Sequence, residues 1–398
     1  MLGLSGLAGT VAQSTIRTMS VECDKVGGVN LAQGVCDTEV PPPVRHAAEA
    51  AIEGGFNQYT RLDGIARLRS AIARKLELQN GIVADPETEI LVTSGATGAF
   101  DAACRAVLNP GDEVILFEPY YGYHYATLVG QHCRPVLVPL DPPVYELKAE
   151  RILSAITPKT RGIMVNTPAN PSGKVFSRAE LQQIVDIADA ADLFLFTDEI
   201  YEHFVYDGRQ HVSPATLPRA AERTLTISGF SKTFSITGWR IGFLHASARW
   251  IPAISYFHDL SYVCAPAPLQ HGVAAGLEEL SSLFYAALVR DYQQKRTMIC
   301  EGLQLAGLEP SVPAGSYYVL ADASRVPGDN SVDRAMNLLH RTGVASVPGA
   351  AFFQQGRGEK LLRFCFAKSD RDLEQACERL SKLHLSSEVG ASARSLVR

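Results

Sequence analysis

Lys232 lies in a run of small and hydroxylated residues, Ser-Gly-Phe-Ser-Lys-Thr-Phe-Ser at 228–235, where a charged side chain is unusual. Apolar runs at 225–227 and 241–244 predict short buried strands, so we expect this lysine on a turn between core elements. A partly dehydrated lysine loses its proton more easily, and the neutral amine can form a Schiff base with a carbonyl. The alternative is a surface lysine whose stem packs on the core, and Lys232 alone does not decide between them.

Two further segments could hold a ligand. Residues 94–98, Ser-Gly-Ala-Thr-Gly, open a predicted helix whose free N–H groups suit a phosphate, although small residues also open helices for packing reasons. The aromatic run at 120–125 offers a ring that could lie flat against a planar ligand, or could pack in the core or at an interface. Each segment is therefore a weak indication by itself.

Two other segments carry hydrogen-bonding and anionic side chains. Asn170 stands between two prolines in Asn-Thr-Pro-Ala-Asn-Pro-Ser-Gly at 166–173, a rigid turn that suits a side chain held still. Asp198, Glu199 and Tyr201 follow an apolar run, where a carboxylate without a positive partner is costly. We therefore expect at least one of these carboxylates to meet a positive group.

The elements that must position these groups follow an alternating pattern. Four- to six-residue apolar runs between helical patterns predict strands buried on both faces, and hence a largely parallel sheet covered by helices. A second set of elements follows residue 265 and predicts a smaller domain. Predicted strands lie at 89–94, 113–117, 135–139, 162–166, 193–197, 225–228, 240–244, 315–320 and 361–366, and predicted helices at 44–53, 64–77, 98–107, 123–129, 149–156, 178–191, 268–306, 332–342 and 370–383. Residues 1–45 look irregular, and the tail from 386 looks frayed.

Ligands of an open parallel sheet collect at the carboxyl ends of its strands, so we expect these groups to lie together. They comprise a phosphate cradle, a flat aromatic ring, an amide, an anion, a phenol and a lysine that can lose its proton. This set describes a pocket for pyridoxal phosphate, in which a lysine holds the cofactor and an aspartate keeps the pyridine nitrogen protonated.

The sequence resembles the fold-type I, pyridoxal-phosphate-dependent enzymes of the class I/II aminotransferase family. The motifs are specific as a set, and the resemblance covers nearly the whole chain. They are Asn-Leu-Ala-Gln-Gly at 30–34, Asn-Thr-Pro-Ala-Asn-Pro-Ser-Gly at 166–173, Asp-Glu-Ile-Tyr at 198–201, Ser-Lys-Thr-Phe-Ser-Ile-Thr-Gly-Trp-Arg at 231–240 and Arg-Phe-Cys-Phe-Ala at 363–367. Residues 316–322 and 343–353 look most like the branch of kynurenine/glutamine aminotransferases and cysteine-conjugate β-lyases.

The resemblance implies the fold and the domain division. We expect an α/β fold, with a large aminotransferase-like domain whose mainly parallel seven-stranded sheet lies between helices, and a smaller α+β domain. Residues 1–45 would form an N-terminal arm that belongs to the small domain. Residues 46–285 would form the large cofactor-binding domain, and residues 286–398 the small C-terminal domain.

The resemblance also implies the catalytic roles. Lys232 would carry the Schiff base and move the proton between the substrate Cα and the cofactor carbon. Asp198 would pair with the pyridinium nitrogen, while Asn170 and Tyr201 would bond the phenolic oxygen of the ring. Tyr201 and Asp198 are therefore candidate catalytic residues alongside Lys232.

The remaining roles concern the phosphate, the ring face and the substrate. The resemblance assigns the phosphate to Ala96, Thr97, Ser231 and Arg240, with Tyr59 reaching it from a second subunit, and the ring face to Tyr121. Arg363 would clamp the substrate α-carboxylate, assisted by the Gly34 backbone and by Asn170. A shared site of this kind implies a homodimer.

Two departures from the family pattern affect these expectations. The loop 34–39, Gly-Val-Cys-Asp-Thr-Glu, replaces the usual proline-containing run beside the substrate, so side-chain specificity does not follow from the resemblance. The residue three before the lysine is Gly229, where many relatives have a serine. Ser231 is therefore taken as the hydroxyl donor.

Bulk properties exclude several other classes of protein. The 398 residues, 46% hydrophobic and 20% charged, are typical of a globular protein of about two domains. No run of about 18 apolar residues suggests a membrane span. The amino terminus lacks the basic start of a signal peptide. The net charge of −5 gives no reason to expect nucleic acid, and the eight dispersed cysteines suggest reduced thiols in the cytoplasm rather than a metal site.

Three functions fit these observations to different degrees. The first is transfer of an amino group between an L-amino acid and a 2-oxo acid. The second is β-elimination from a cysteine S-conjugate by the same residues, which needs no 2-oxo acid acceptor. The third is a ligand-sensing module of the kind fused to DNA-binding domains, which the absence of a basic helix-turn-helix pattern disfavours.

Overall fold

A computed structural model describes residues 3–9 and 15–383 of the chain. Its helices are α1 (Thr15–Lys25), α2 (Pro42–Glu53), α3 (Ala66–Lys75), α4 (Gly95–Val107), α5 (Gly122–Gly130), α6 (Ala149–Ala155), α7 (Arg178–Ala190), α8 (Ile251–Tyr262), α9 (Ala267–Glu279), α10 (Ser282–Leu305), α11 (Ser331–Thr342) and α12 (Asp370–Ser381). Its strands are β1 (Val29–Asn30), β2 (Ile90–Ser94), β3 (Glu113–Glu118), β4 (Arg134–Pro139), β5 (Thr160–Asn166), β6 (Phe194–Asp198), β7 (Thr224–Gly229), β8 (Ile241–His245), β9 (Glu309–Ser311), β10 (Tyr318–Asp322), β11 (Val344–Ala345), β12 (Val347–Pro348) and β13 (Leu361–Cys365).

A seven-stranded sheet with the order β2-β8-β7-β6-β5-β3-β4 forms the main body. All neighbouring strands run parallel except β8, which is antiparallel to both β2 and β7. Every residue of β3 and β6 is buried, as strands covered on both faces should be. The edge strand β4 is partly exposed and contains Pro135 and Pro139, which a central strand would not tolerate. The expected mainly parallel seven-stranded sheet is confirmed.

A four-stranded antiparallel sheet with the order β12-β13-β10-β9 forms the second layer. The amino-terminal segment joins this part of the molecule, because β1 pairs in parallel with β11 through Val29 and Val344. Helix α1 packs against β1, β11 and β12. Helix α1 and β1 therefore lie against the part of the molecule that carries the smaller sheet.

Local sequence signals explain where several helices begin and end. Ser177 and Glu180 form a reciprocal capping box at the start of α7, and Asn330 accepts a hydrogen bond from the Asp333 N–H at the start of α11. Helix α11 ends at Gly343, whose φ of 69° favours glycine. These signals agree with the predicted boundaries of both helices to within one residue.

The structure corrects four sequence-based expectations of local structure. Residues 15–25 are helical rather than irregular, with Met19 and Cys23 buried four positions apart on one face. Helix α8 was not predicted. The predicted helix 268–306 is two helices, α9 and α10, which meet at 97°. The strand predicted from residue 315 begins at Tyr318, because Ser316 has a φ of 57°. The predicted frayed tail from 386 lies outside the described residues.

The sequence suggested neither a membrane span nor a metal site, and both points concern features that the structure can show. Within residues 3–9 and 15–383, no single helix is long and apolar enough to cross a membrane, although the bent pair α9 and α10 passes the criteria of length and composition together. The same residues contain no group of three or more His, Cys, Asp or Glu side chains placed to hold a metal ion.

The eight cysteines are free, and we expect at most two of them to react rapidly with Ellman's reagent in the native protein. Only Cys264 and Cys377 are half-buried, and the other six are buried. Burial also raises the pKa of the Cys104 thiol well above its usual value, which lowers the thiolate fraction further. In the denatured protein without reductant, all eight thiols should react with the reagent. A lower count would indicate a disulfide and contradict the structure.

Candidate active site

A cavity of about 730 Å³ lies where the carboxyl ends of β5, β6 and β7 face β10 and β13 of the smaller sheet. All the predicted site residues line it except Tyr59, whose side chain is outside the cavity and 81% exposed. The lining therefore includes Gly34, Ala96, Thr97, Tyr121, Asn170, Asp198, Tyr201, Ser231, Lys232, Arg240 and Arg363.

Lys232 follows β7 on the turn predicted from the sequence. Burial is the main cause that lowers the pKa of its amine, so the neutral form is present at lower pH than for a free lysine. Its Nζ lies 6.0 Å from the centroid of the Tyr317 ring and donates no hydrogen bond within the described chain. The Cys36 thiol donates a hydrogen bond of 3.7 Å to the Lys232 carbonyl. The amine is thus left free to react within the cavity.

Asp198 ends β6, and its carboxylate is held from two sides. Oδ2 lies 2.9 Å from His124 Nε2, and Oδ1 accepts a hydrogen bond of 3.2 Å from the Ile200 N–H. The neighbouring Glu199 points away and lies 2.7 Å from His211 Nε2. Both carboxylates therefore meet a histidine, and Asp198 is the one directed at the cavity.

Asn170 is held by its neighbours in the rigid turn. Its N–H donates to Asn166 Oδ1 at 2.7 Å, and its own Oδ1 accepts from Arg363 Nη1 at 3.0 Å. Asn166 in turn donates to the Asp198 carbonyl at 3.0 Å. With its oxygen taken by Arg363, the Asn170 amide has N–H groups left to donate into the cavity.

Tyr201 is buried beside the same turn. Its hydroxyl donates to the Tyr318 hydroxyl at 3.3 Å. Burial raises the pKa of Tyr201 well above its usual value, and the neighbouring phenols Tyr318 and Tyr121 add to the effect. Tyr201 is therefore a protonated hydrogen-bond donor at neutral pH.

The amino end of α4 and Arg240 form a site for a phosphate. The Ser94 side chain does not cap α4, so the first-turn N–H groups at Ala96 and Thr97 are left for a ligand. Arg240 adopts a left-handed backbone with φ 57°, unusual for an arginine, and donates to the Thr237 carbonyl at 3.0 Å. A Cβ at Gly95 would clash with Arg240 Nη2, so glycine makes room for the guanidinium. Uncapped amides beside a guanidinium fit the phosphate of pyridoxal phosphate.

The close packing of β7 against β8 explains the glycine at position 229. A Cβ there would lie 2.9 Å from the Gly242 Cα and 3.1 Å from the Ile241 carbonyl, so a serine would require the backbone to move. Ser231, which lines the cavity, is the hydroxyl available near Lys232 on this turn.

Arg363 lies on β13 and is 1% exposed, with its guanidinium 4.2 Å from the Tyr318 ring centroid and 4.9 Å from that of Phe352. Nη2 donates to the Ala32 carbonyl at 2.6 Å, and Nη1 to Asn170, while Nε has no partner among the described residues. A buried cation with no acidic partner in the described chain needs an anionic ligand. Arg363 is therefore suited to bind a carboxylate.

Sequence reasoning missed several residues of this site. His124 lies within the aromatic run at 120–125 but was not recognised as a partner of Asp198. Asn166 was seen only as part of a motif, and Tyr318 only as part of a strand. Arg17 also lines the cavity, on a segment expected to be irregular. The buried pair Met19 and Cys23, four residues apart, is the signal that could have identified the helix carrying Arg17.

Comparison with known proteins identifies the family of the chain. The family model for aminotransferase class I and II matches residues 26–380. The chain is 38% identical to the probable N-succinyldiaminopimelate aminotransferase DapC of Mycobacterium tuberculosis over 384 residues, which cover 94% of this chain and 96% of that protein. It is 34% identical to the kynurenine–oxoglutarate transaminase of Dictyostelium discoideum over 397 residues, covering 90% and 91%.

Solved structures give the same result. The structure of N-succinyldiaminopimelate aminotransferase from Mycobacterium tuberculosis superimposes with a TM-score of 0.93 at 37% identity, covering 96% of this chain and all of that one. Kynurenine–oxoglutarate transaminases are among the relatives, in keeping with the branch that the sequence suggested. The chain belongs to the aminotransferase class I and II family and is an enzyme that transfers amino groups with pyridoxal phosphate as its cofactor.

Proposed function

We propose that the cavity residues divide the work of amino-group transfer between an L-amino acid and a 2-oxo acid. The observation that carries the proposal is the placement of Lys232, Asp198 and Arg363 in one cavity. When bound, pyridoxal phosphate supplies a carbonyl that receives the amino group and a ring that accepts the electrons of the substrate Cα–H bond. Lys232 would hold the cofactor through its amine. Once free, the same amine, whose pKa burial lowers, would take the proton from the substrate Cα.

The other residues bind and orient in this proposal. Asp198, supported by His124, would place a negative charge at the pyridine nitrogen. Asn170 would donate to the phenolic oxygen of the cofactor through its free N–H groups, and Tyr201 through the hydroxyl proton that it donates to Tyr318 in this structure. The Tyr121 ring, which stacks on Tyr123 at 5.3 Å, would cover one face of the cofactor ring.

Different residues would bind the phosphate and the substrate carboxylate in this proposal. Ala96, Thr97, Ser231 and Arg240 would bind the phosphate. Arg363 would bind the substrate α-carboxylate together with Asn170 and the Gly34 backbone. Gly34 suits that role, because any Cβ there would clash with the Tyr318 ring and leave no room for a side chain.

We also infer that the protein is a cytoplasmic homodimer with shared active sites. Exposed apolar side chains on the loop before α3 and along α8 support an interface. They are Phe56 (56% exposed), Tyr59 (81%), Tyr256 (59%), Leu260 (63%) and Tyr262 (40%). Tyr262 lies close to the amino end of α4, since a Cβ at Gly98 would be 3.3 Å from its ring. A second subunit on this surface would approach the phosphate site, and free thiols agree with a reducing compartment.

The domain division at residues 45 and 285 stays a prediction. Pairing of β1 with β11 supports the assignment of the N-terminal arm to the small domain. Limited proteolysis followed by mass spectrometry of the resistant fragments would test the boundary near residue 285.

The reaction is tested with a panel of amino acids and cysteine S-conjugates, scored for 2-oxo acid and for thiol, with and without an acceptor. We expect 2-oxo acid formation that requires the acceptor, because the amino group stays on the enzyme until an acceptor removes it. Turnover that continues without an acceptor and releases thiol would show β-elimination as the main activity and contradict the proposal.

Tyr59→Ala tests the shared site. The variant should keep the sedimentation mass of a dimer, twice the 43.1 kDa of the chain, but bind pyridoxal phosphate about tenfold more weakly, as expected for loss of one charged hydrogen bond. Val83→Ala serves as the control. Val83 is also an exposed apolar residue, but it belongs to neither of the two segments that form the proposed interface. Unchanged cofactor affinity in Tyr59→Ala would contradict a role for Tyr59 at the phosphate.

A further inference from the structure

Arg17 is a cation in the active-site cavity that none of the roles above uses. It lies on α1, with its guanidinium exposed, and lines the cavity together with Ile16 and Ser20 of the same helix. It forms no ion pair and no side-chain hydrogen bond within the described residues. An arginine that reaches into a ligand cavity without an acidic partner is available for an anionic group of the ligand.

The other charged residues of the cavity indicate which anionic group Arg17 could bind. Among the described residues that line the cavity, the arginines are Arg17, Arg240 and Arg363, and the only carboxylate is Asp198, which faces His124. Arg240 stands beside the amino end of α4, where the phosphate fits. Arg363 takes the α-carboxylate. Arg17 therefore remains for a second acidic group on the substrate.

Arg17 enters the cavity from the substrate side. Helix α1 packs on β12, and Val347 of β12 is the register partner of Arg363 on β13. Arg363 also donates to the Ala32 carbonyl, in the segment that directly follows β1. Arg17 and Arg363 thus belong to the same wall, whereas Arg240 belongs to the wall formed by the seven-stranded sheet. This placement favours a substrate group over the phosphate as the partner of Arg17.

The surroundings of Arg17 suit a carboxylate at the cavity mouth. Gln33 lines the same opening and is exposed, and its side-chain amide makes no hydrogen bond within the described chain, so it can donate to an anion. The Ser20 hydroxyl is already used, since it donates to the Ile16 carbonyl at 3.0 Å. A guanidinium and an amide at the opening provide directed donors for one carboxylate.

We propose that Arg17 is a specificity-determining residue that binds the distal carboxylate of a dicarboxylic amino acid or 2-oxo acid while Arg363 holds the α-carboxylate. The proposal rests on the proposed function, because it uses Arg363 as the α-carboxylate site. It assigns a preference for dicarboxylic over monocarboxylic substrates to a single side chain of the N-terminal arm.

The kinetic test compares 2-oxoglutarate with 2-oxopentanoate, which has the same carbon chain without the distal carboxylate. The wild type should favour 2-oxoglutarate in kcat/KM. Arg17→Ala should reduce this preference about tenfold, the size of one charged hydrogen-bonded contact, and Arg17→Glu should reduce it further by repulsion. Arg17→Lys should keep part of it. Lys25→Ala, on the same helix but in an ion pair with Glu22 and outside the cavity, is the matched control and should keep the wild-type preference.

A binding measurement separates this proposal from the proposed function. Calorimetry with glutarate and with pentanoate needs no turnover, so it reports on Arg17 even if the enzyme fails to transaminate either acceptor. Glutarate should bind more tightly than pentanoate to the wild type, and the difference should shrink in Arg17→Ala. Equal binding of the two acids to the wild type, or a proportional loss of both acceptors in Arg17→Ala, would overturn the assignment.

Discussion

Lys232→Ala is expected to lower kcat by about 10⁴-fold, since a positioned proton-transfer group contributes up to about 10⁴-fold and covalent attachment is lost as well. Lys232→Arg should be equally inactive, because arginine keeps the charge but does not lose a proton near neutral pH. Covalent attachment is measured by borohydride reduction and mass spectrometry of the peptide that contains residue 232. The wild-type peptide should carry the added mass, and neither variant should carry it.

Lys148→Ala is the control for this experiment. Lys148 is a half-buried lysine in an ion pair with Asp141, outside the cavity, so the variant should retain the modified 232 peptide and the wild-type rate. If Lys232→Ala still captured the cofactor covalently or turned over at the wild-type rate, another amine would have to be the nucleophile. The low pKa that burial gives Lys232 would then have no catalytic meaning.

Arg363→Lys is expected to lower kcat/KM for amino acid substrates by about 10²–10³-fold. The guanidinium can offer a carboxylate two parallel hydrogen bonds, each charge-assisted bond contributing about 1.5–3 kcal/mol, whereas an ammonium offers a single point charge. The loss should be specific to the α-carboxylate. The wild type should strongly prefer an amino acid to its α-amide, and Arg363→Leu should remove most of this preference.

The matched control is Arg296→Lys. Arg296 is also a buried arginine, packed 4.9 Å from the Tyr206 ring centroid, but it pairs with Asp207 and does not line the cavity. The Arg296→Lys variant should be less stable than the wild type, but it should keep the preference for the amino acid over its α-amide. If Arg296→Lys lost this preference as much as Arg363→Leu does, Arg363 would support the fold rather than bind the substrate.

Much of the fold could be predicted because local signals and tertiary packing agree in the seven-stranded sheet. Strands such as β3 and β6 are continuous apolar runs, and this composition directly reports burial on both faces. The antiparallel direction of β8 could not be predicted in this way, since an apolar run has no direction. The separation of α9 from α10 was missed because the apolar spacing continues across residues 280–281, although Ser281 caps α10 by accepting a hydrogen bond from the Leu283 N–H.

The site residues were predicted where a residue type is unusual for its surroundings. Lys232 is a charge in a run of small and hydroxylated residues, Arg363 is a charge on an apolar strand, and Asp198 ends a buried strand. His124 and Arg17 carry no such signal, because a histidine among aromatic residues and an arginine on an amphipathic helix are ordinary. Their contributions depend on distances between segments far apart in the chain, 74 residues for His124 and Asp198. Such proximity requires the three-dimensional structure.

The two walls of the cavity have different origins in the chain. The cavity-lining groups proposed for the cofactor follow β2, β3, β5, β6 and β7 of the seven-stranded sheet or, for Arg240, directly precede β8, whereas Arg363, Tyr318 and Arg17 belong to the smaller sheet and its N-terminal arm. Substitutions on the cavity face of α1 can therefore alter which side chains the enzyme accepts while leaving the chemistry intact. Substrate preference can then change by drift in one short amino-terminal helix that has no proposed contact with the cofactor.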